Sequence, residues 1–187
     1  MENYKKNLEI LKKNHVYSEE MEHDACGVGL IASTEGKKSR KVVEYGIEAL
    51  KAVWHRGAVD ADGKTGDGAG IHVEIPKDFF IEKIEVTGHS YDNSEICVGM
   101  IFLPRNDYAA QESCKTIVES ELTKNDFSIY GWRQVPVNPK VLGEKAFQTM
   151  PEIIQVLFKS NNPELLNKDL ERKIYETRRI IENKAFQ

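Results

Sequence analysis

Cysteine is scarce in this sequence: three in 187 residues, Cys26, Cys97 and Cys114, an odd and widely spaced set without a CxxC pair. A reduced, cytoplasmic setting fits that usage better than a disulfide framework. There is no Asn-x-Ser/Thr acceptor, and no apolar run approaches the roughly 20 residues that span a bilayer. The opening MENYKKNLEILKKNHVYSEEMEHDA is unlike a secretory signal, because charges interrupt every apolar pair. Charge excess is lacking too. Lys and Arg number 26 against 30 Asp and Glu, so the net charge is −4, which exerts no pull toward nucleic acid or an anionic membrane. No internal repeat or low-complexity tract appears.

What is present is an ordinary globular balance, 40% hydrophobic and 30% charged, enough for one domain with a real core. The spacing predicts a short amphipathic helix over 3–13, with Tyr4, Leu8 and Leu11 on one side. CGVGLIAS, from Cys26 to Ser33, reads as a glycine-containing strand. A helix is expected over 40–53, where Val42, Val43, Ile47, Leu50 and Val53 form a stripe. WHRGAVDADGKTGDGAG (54–70) holds five glycines and three aspartates and is a long irregular loop. GIHVEIPKDFF (70–80) reads as a strand ended by Pro76. Further strands are expected at 95–104, 127–138 and 151–160, and helices at 107–124 and 163–183, with Pro163 in the first turn of the last. The order lacks the regular alternation of a doubly wound parallel sheet.

Several patterns imitate known sites. GAVDADGKT resembles a phosphate-binding loop, but five residues separate Gly57 from Gly63 where the motif needs four, and no helix follows. DADGKTGDG resembles a calcium loop, yet Lys64 and Thr65 occupy a ligand position and the obligatory glycine position. His23, Asp24 and Cys26 lack a second ligand pair at zinc-like spacing, so no metal site is expected. Cys97 and Cys114 are most economically small core residues.

Cys26 is ambiguous on physical grounds alone. A cysteine opening an apolar strand is more often packing than chemistry. Against that, Gly27 and Gly29 remove side chains beside it, which permits close approach of a ligand or another backbone. Beyond His23, three residues before it, no histidine that could serve as a base stands near it in the chain. Arg56, at the end of the 40–53 stripe, is a permanent cation whose planar fork of donors suits a carbonyl or a carboxylate.

Taken together, EHDACGVGLIAS (22–33) and ALKAVWHRGAVDADGKTGDGAGIHVEIPKDFF (49–80) resemble the start of the class II glutamine amidotransferase domain of glutamate synthase large subunits, in the N-terminal-nucleophile hydrolase superfamily. VGMIFLP (98–104), YGWRQVPVN (130–138) and LGEKAFQTMPEIIQVLF (142–158) extend the resemblance, which runs from about residue 16 onward. It implies an α+β fold, the αββα sandwich of helices over two facing sheets, present here in part. It also implies that residues 1–25 are a propeptide and 26–187 the N-terminal portion of the amidotransferase domain.

By the same resemblance, cleavage after Ala25 makes Cys26 the nucleophile, with its freed α-amine as base, and Arg56 supports the nucleophile. Asp60, Asp62 and Asp67 are expected to form turns and carry no direct chemistry. The family's oxyanion Asn-Gly pair and the groups that clamp the substrate are expected beyond residue 187. No Asn-Gly dipeptide occurs in these residues, so weak or absent glutaminase activity is expected of them in isolation. The implied substrate is L-glutamine. Flavin mononucleotide and an iron–sulfur cluster are expected in the full-length enzyme and none in this chain. The implied partners are the remaining synthase domains and an electron-donating small subunit or ferredoxin. Two alternatives from other classes are a non-catalytic regulatory or assembly module, and a phosphoribosyl or hexosamine amidotransferase. The long insertion after His-Arg-Gly speaks against the latter.

Overall fold

A computed structural model describes residues 9, 10, 13, 27–53 and 59–186. The chain divides into two compact units, Met1–Ala58 with Asp67–Ile71, and Val59–Gly66 with His72–Gln187.

In the first unit, the apolar stripe at helical spacing forms α1 (Arg40–Ala52). Val42, Val43, Ile47, Leu50 and Val53 are half-buried, and no residue of α1 is fully buried. Ion pairs Arg40–Glu44 (3.3 Å) and Lys51–Glu48 (2.9 Å) lie across its exposed side and add a few tenths of a kcal/mol each. Residues 9, 10 and 13 are helical, within the helix expected over 3–13, whose other members lie outside the described residues.

The strand expected from Cys26 to Ser33 does not form over 27–33, where Val28 is 94% and Leu30 89% exposed. Apolar alternation reports a surface suited to burial, but a strand also needs a neighbour to satisfy its backbone groups. No strand pairs with this run among the described residues. The same reason applies to the strand expected over 70–76, which is likewise unpaired.

In the second unit, KDFF, beyond Pro76, opens a helix. Here α2 (Lys77–Val86) follows directly on Pro76. Phe80 and Ile84, one turn apart, are buried together, and Asp78 sits in the first turn where the helix dipole favours a carboxylate.

The sheet comprises β1 (Cys97–Leu103), β2 (Phe127–Gln134) and β3 (Glu152–Ser160) in the order β1-β3-β2, both pairings antiparallel. Between β1 and β2 runs α3 (Tyr108–Lys124), started by the Asp107 carboxylate accepting from the N–H of Ala110 at 2.9 Å. A 3-10 turn (Pro139–Val141) and the short α4 (Glu144–Gln148) connect β2 to β3, and α5 (Asn167–Ala185) follows. Pro163 does not enter the first turn of α5. A local turn holds it, in which Asn162 accepts from the N–H groups of Glu164 (2.9 Å) and Leu165 (3.2 Å).

The central strand β3 is covered on both faces, and residues 154–158 are all buried. Its period of two divides the core. Val156 and Phe158 join Cys97, Phe127, Val118 and Leu122 of α3, and Leu170 of α5. Leu157 faces the other way and meets Phe80, Ile84, Ile96 and Tyr130. Glu121 of α3, itself buried, accepts from Lys124 (2.9 Å) and from Lys184 of α5 (2.7 Å), so one carboxylate ties the two helices; the Lys184 bond and then the Lys124 bond hold its pKa below the usual value. A bulge between Ile129 and Gly131 bends β2. Gly131 there has φ +147, and an added Cβ would fall within 3.0 Å of the Thr87 methyl. Only glycine suits that position.

Candidate functional site

Cys26, Ala25 and Arg56, named from the sequence, lie outside the described residues, as does the junction at which residues 1–25 would be removed. Their described neighbours carry the geometry that follows. After Cys26, residues 27–33 are in neither helix nor strand, and a Cβ on Gly29 would meet nothing within 4 Å.

After Arg56 the Gly/Asp loop folds back on itself. Val59 and Gly66 form an isolated antiparallel bridge, the N–H of Asp60 donates to Thr65 O at 2.7 Å, and that of Gly63 to Asp60 O at 2.9 Å. Gly63 has φ +68, the left-handed conformation this tight turn requires. Asp62 organises the interior. Its Oδ1 accepts from the N–H groups of Lys64 (2.9 Å) and Thr65 (2.7 Å), and its Oδ2 from the Thr65 hydroxyl (2.5 Å). The Thr65 hydroxyl and then the two N–H groups hold the Asp62 carboxyl well below the usual carboxylate range. Asp60 and Asp62 therefore act as turn-formers, as expected of aspartates in this loop.

This turn rests on the segment that opens α4. Asp60 Oδ2 pairs with Lys145 Nζ at 2.6 Å, the N–H of Ala146 reaches Thr65 Oγ1 at 3.4 Å, and the N–H of Lys145 faces the Asp62 carboxylate. Gly143 is buried beneath. A Cβ there would fall under 3.0 Å from Thr65 Oγ1, Asp62 Oδ2 and the Thr65 nitrogen. The Gly/Asp pattern predicts the turn itself, whereas its seat some 80 positions along the chain has no local signal.

Of the described thiols, Cys97 is a poor nucleophile. Cys97 opens β1 and is buried; burial first, then the charges of Glu95 and Glu171, push its thiol up to about 12. Cys114 is half-buried on α3. Among the described residues no three His, Cys, Asp or Glu side chains converge as metal ligands, and no helix is long and apolar enough to cross a membrane.

A polar cluster that the sequence does not announce lies at one end of the sheet. The Tyr130 hydroxyl donates to Asp92 Oδ1 at 2.9 Å, and Lys159 pairs with Asp92 Oδ2. The Thr87 hydroxyl reaches Tyr130 O at 2.7 Å. Asp92 is held well below the usual range, first by Lys159 and then by Ser94, while burial and then the Asp92 bond raise the Tyr130 phenol. Every polar group here has a partner within the cluster, which fits a staple on the 87–94 loop and leaves no group poised for chemistry.

Comparison with known proteins places this geometry. The family described as class II glutamine amidotransferases matches residues 26–187. The large chain of NADPH glutamate synthase from Azospirillum brasilense is 52% identical over 179 residues, 96% of this chain and 12% of that protein. Ferredoxin-dependent glutamate synthase 2, chloroplastic, from Arabidopsis thaliana is 39% identical over 175 residues, 92% of this chain and 11% of the relative. Ferredoxin-dependent glutamate synthase 2 of Synechocystis is 38% identical over 168 residues. The chain thus spans about an eighth of the length of these relatives. With a family match that runs from Cys26 through the folded sheet and α5, the chain belongs to the class II glutamine amidotransferases.

Proposed function

We propose that this chain supplies the nucleophile-bearing part of a glutamine amidotransferase in a glutamate synthase large subunit. It would hydrolyse L-glutamine to glutamate and ammonia, in the cytoplasm, and pass the ammonia on for glutamate synthesis from 2-oxoglutarate. The observation that carries this reading is that the family match begins at a cysteine, residue 26. Residues 1–25 act as a propeptide, and cleavage after Ala25 frees the Cys26 α-amine. Such an amine has a pKa of about 7.7 to 8.0, near working pH, where an amide nitrogen is no base.

In the reaction, the amine accepts the thiol proton, directly or through a water. The Cys26 sulfur bonds to the glutamine amide carbon, and the C–N bond breaks as the amine returns the proton to departing ammonia. Water then hydrolyses the thioester, releasing glutamate and restoring the thiol. Arg56 supports the nucleophile as a fixed cation. The fold is part of an αββα sandwich, of which the three-stranded sheet with α3 and α5 forms one sheet and its helical layer. Residues 1–187 contain no Asn-Gly pair to hold the oxyanion. A missing oxyanion donor costs on the order of 10² to 10³ in rate, so these residues by themselves turn over glutamine weakly or not at all.

The residues present do not fit an iron–sulfur cluster, which takes about four cysteine thiolates. This chain has three cysteines, one of them buried with a raised pKa. Flavin mononucleotide and the cluster are assigned to the remaining synthase domains, and electrons to a small subunit or ferredoxin. No step above runs through them.

Intact-mass analysis of the protein purified from its host tests the reading. Loss of residues 1–25 is expected, and in the enzyme that carries the remaining synthase domains, ammonia release from L-glutamine that Cys26→Ser abolishes. A protein that keeps residues 1–25 and releases no Cys26-dependent ammonia would sink it.

A further inference from the structure

We propose that the cleft beside Arg105 binds a small carboxylate with an apolar body, such as an aryl acid. The cleft lies wholly in the second unit, between the end of β1 and the turn that leads from α4 into β3. It rests on no step of the amidotransferase reading.

The cleft has a volume of about 450 Å3, within the roughly 300 to 1,000 Å3 of small-molecule sites. Its lining divides by chemistry. Phe102, Met150 and Pro151 offer apolar surface, and Phe102 is 63% exposed although it belongs to a strand. Arg105 and Asn106 bring a cation and an amide to the same cleft.

The Arg105 guanidinium lies over the Phe147 ring, 4.7 Å from its centroid, and pairs with no carboxylate among the described residues. Asp107, the neighbouring acid in the chain, is already used, since its Oδ1 accepts from the N–H of Ala110 as the cap of α3. Stacking engages the face of a guanidinium and leaves the fork of N–H donors in its plane for an anion. That fork matches a carboxylate bidentately. Because Arg105 is half-buried, its charge is screened less than one on open surface.

Both walls are held from behind. The buried Gln111 of α3 donates from Nε2 to Pro104 O at 2.7 Å and to Arg105 O at 3.2 Å, which fixes the backbone that carries Arg105. At the other wall, the Thr149 hydroxyl (3.2 Å) and N–H (3.3 Å) both donate to Lys145 O and close α4 just before Met150. A site held in this way loses little freedom on binding. An inorganic anion would leave the apolar wall in water, and a neutral apolar molecule would leave the cation unpaired. The ligand that uses the whole cleft combines both parts.

The test is a fluorine NMR titration of the protein purified from its host with para-fluorophenylacetate. A dissociation constant of about 1 mM is expected for a ligand of this size. Arg105→Gln should weaken binding about tenfold. Phe147→Leu, which stays apolar but removes the ring under the cation, should weaken it about threefold. Lys140→Gln removes an exposed cation outside the cleft and should change binding by less than about twofold. Equal binding by Arg105→Gln, or of the uncharged para-fluorophenylacetamide by the unsubstituted protein, overturns the carboxylate assignment. Inorganic phosphate competing as well as the probe overturns the apolar half, and no saturation by about 20 mM overturns the site. Phenylglyoxal modification of Arg105, read by peptide mapping, needs no variant. The probe at about ten times its dissociation constant should slow that modification about tenfold, and an unslowed rate overturns the proposal.

Discussion

Replacing Leu157 by alanine probes the junction on which the second unit depends. Leu157 is fully buried at the middle of the central strand, opposite Val98 of β1 and Gly131 of β2. It packs on Phe80 and Ile84 of α2, and on Ile96 and Tyr130. The substitution removes three carbons, worth about 0.8 kcal/mol each in transfer, or roughly 2.4 kcal/mol. The surroundings cannot close over the gap, because Ile84 is itself fully buried and Tyr130 is tied through its hydroxyl to Asp92. A residual cavity therefore brings the total to about 3 kcal/mol, inside the usual range for such changes. For a chain of this size that lowers the thermal midpoint by roughly 6 to 12 °C. Phe102→Ala is the control. Phe102 lies in β1 but is 63% exposed, so about 0.5 kcal/mol or less is expected. Circular dichroism melts and urea titrations of both variants decide the matter. Equal, small shifts for Leu157→Ala and Phe102→Ala would refute the packing of α2 on the sheet.

Two further outcomes follow from individual groups. Burial raises the Cys97 thiol from 9.0 to about 12, so at pH 8 its alkylation in the folded protein should be about a thousandfold slower than after unfolding in urea; comparable rates in the two states would contradict its burial. Asp92 has a folded pKa below its ordinary 3.8, so its stabilising contribution is full above that value and is lost as pH falls below it toward the folded value. Acid melts should therefore fall away more shallowly below about pH 4 in Asp92→Asn than in the unsubstituted protein, and parallel curves would show that the Lys159 and Tyr130 contacts do not hold the carboxylate.

Local pattern made elements of both units legible. The stripe of α1, the helix expected over 107–124 and the apolar runs of the three strands appear where the sequence places them, since each is a property of neighbouring residues. The reading failed where a partner mattered. Residues 27–33 read as a strand yet pair with nothing described, as does the run ended by Pro76, and KDFF after it turned helical with Phe80 and Ile84 buried together one turn apart. Pro163 is a plausible helix opener by type, but the Asn162 turn claimed it first.

By itself the sequence determined the order of its motifs, Cys26 with its glycines, then Arg56, then the Gly/Asp turn, because such motifs are written in consecutive positions. It also determined the family, through that order. Tertiary structure alone decided what the turn rests on and why Gly143 must be glycine, along with the joining of Asp92, Tyr130 and Lys159 and the reach of one Glu121 carboxylate to both Lys124 and Lys184. Apart from Glu121–Lys124, three positions apart, those contacts join residues dozens of positions apart, and their energies depend on distances of a few ångströms that no periodicity encodes.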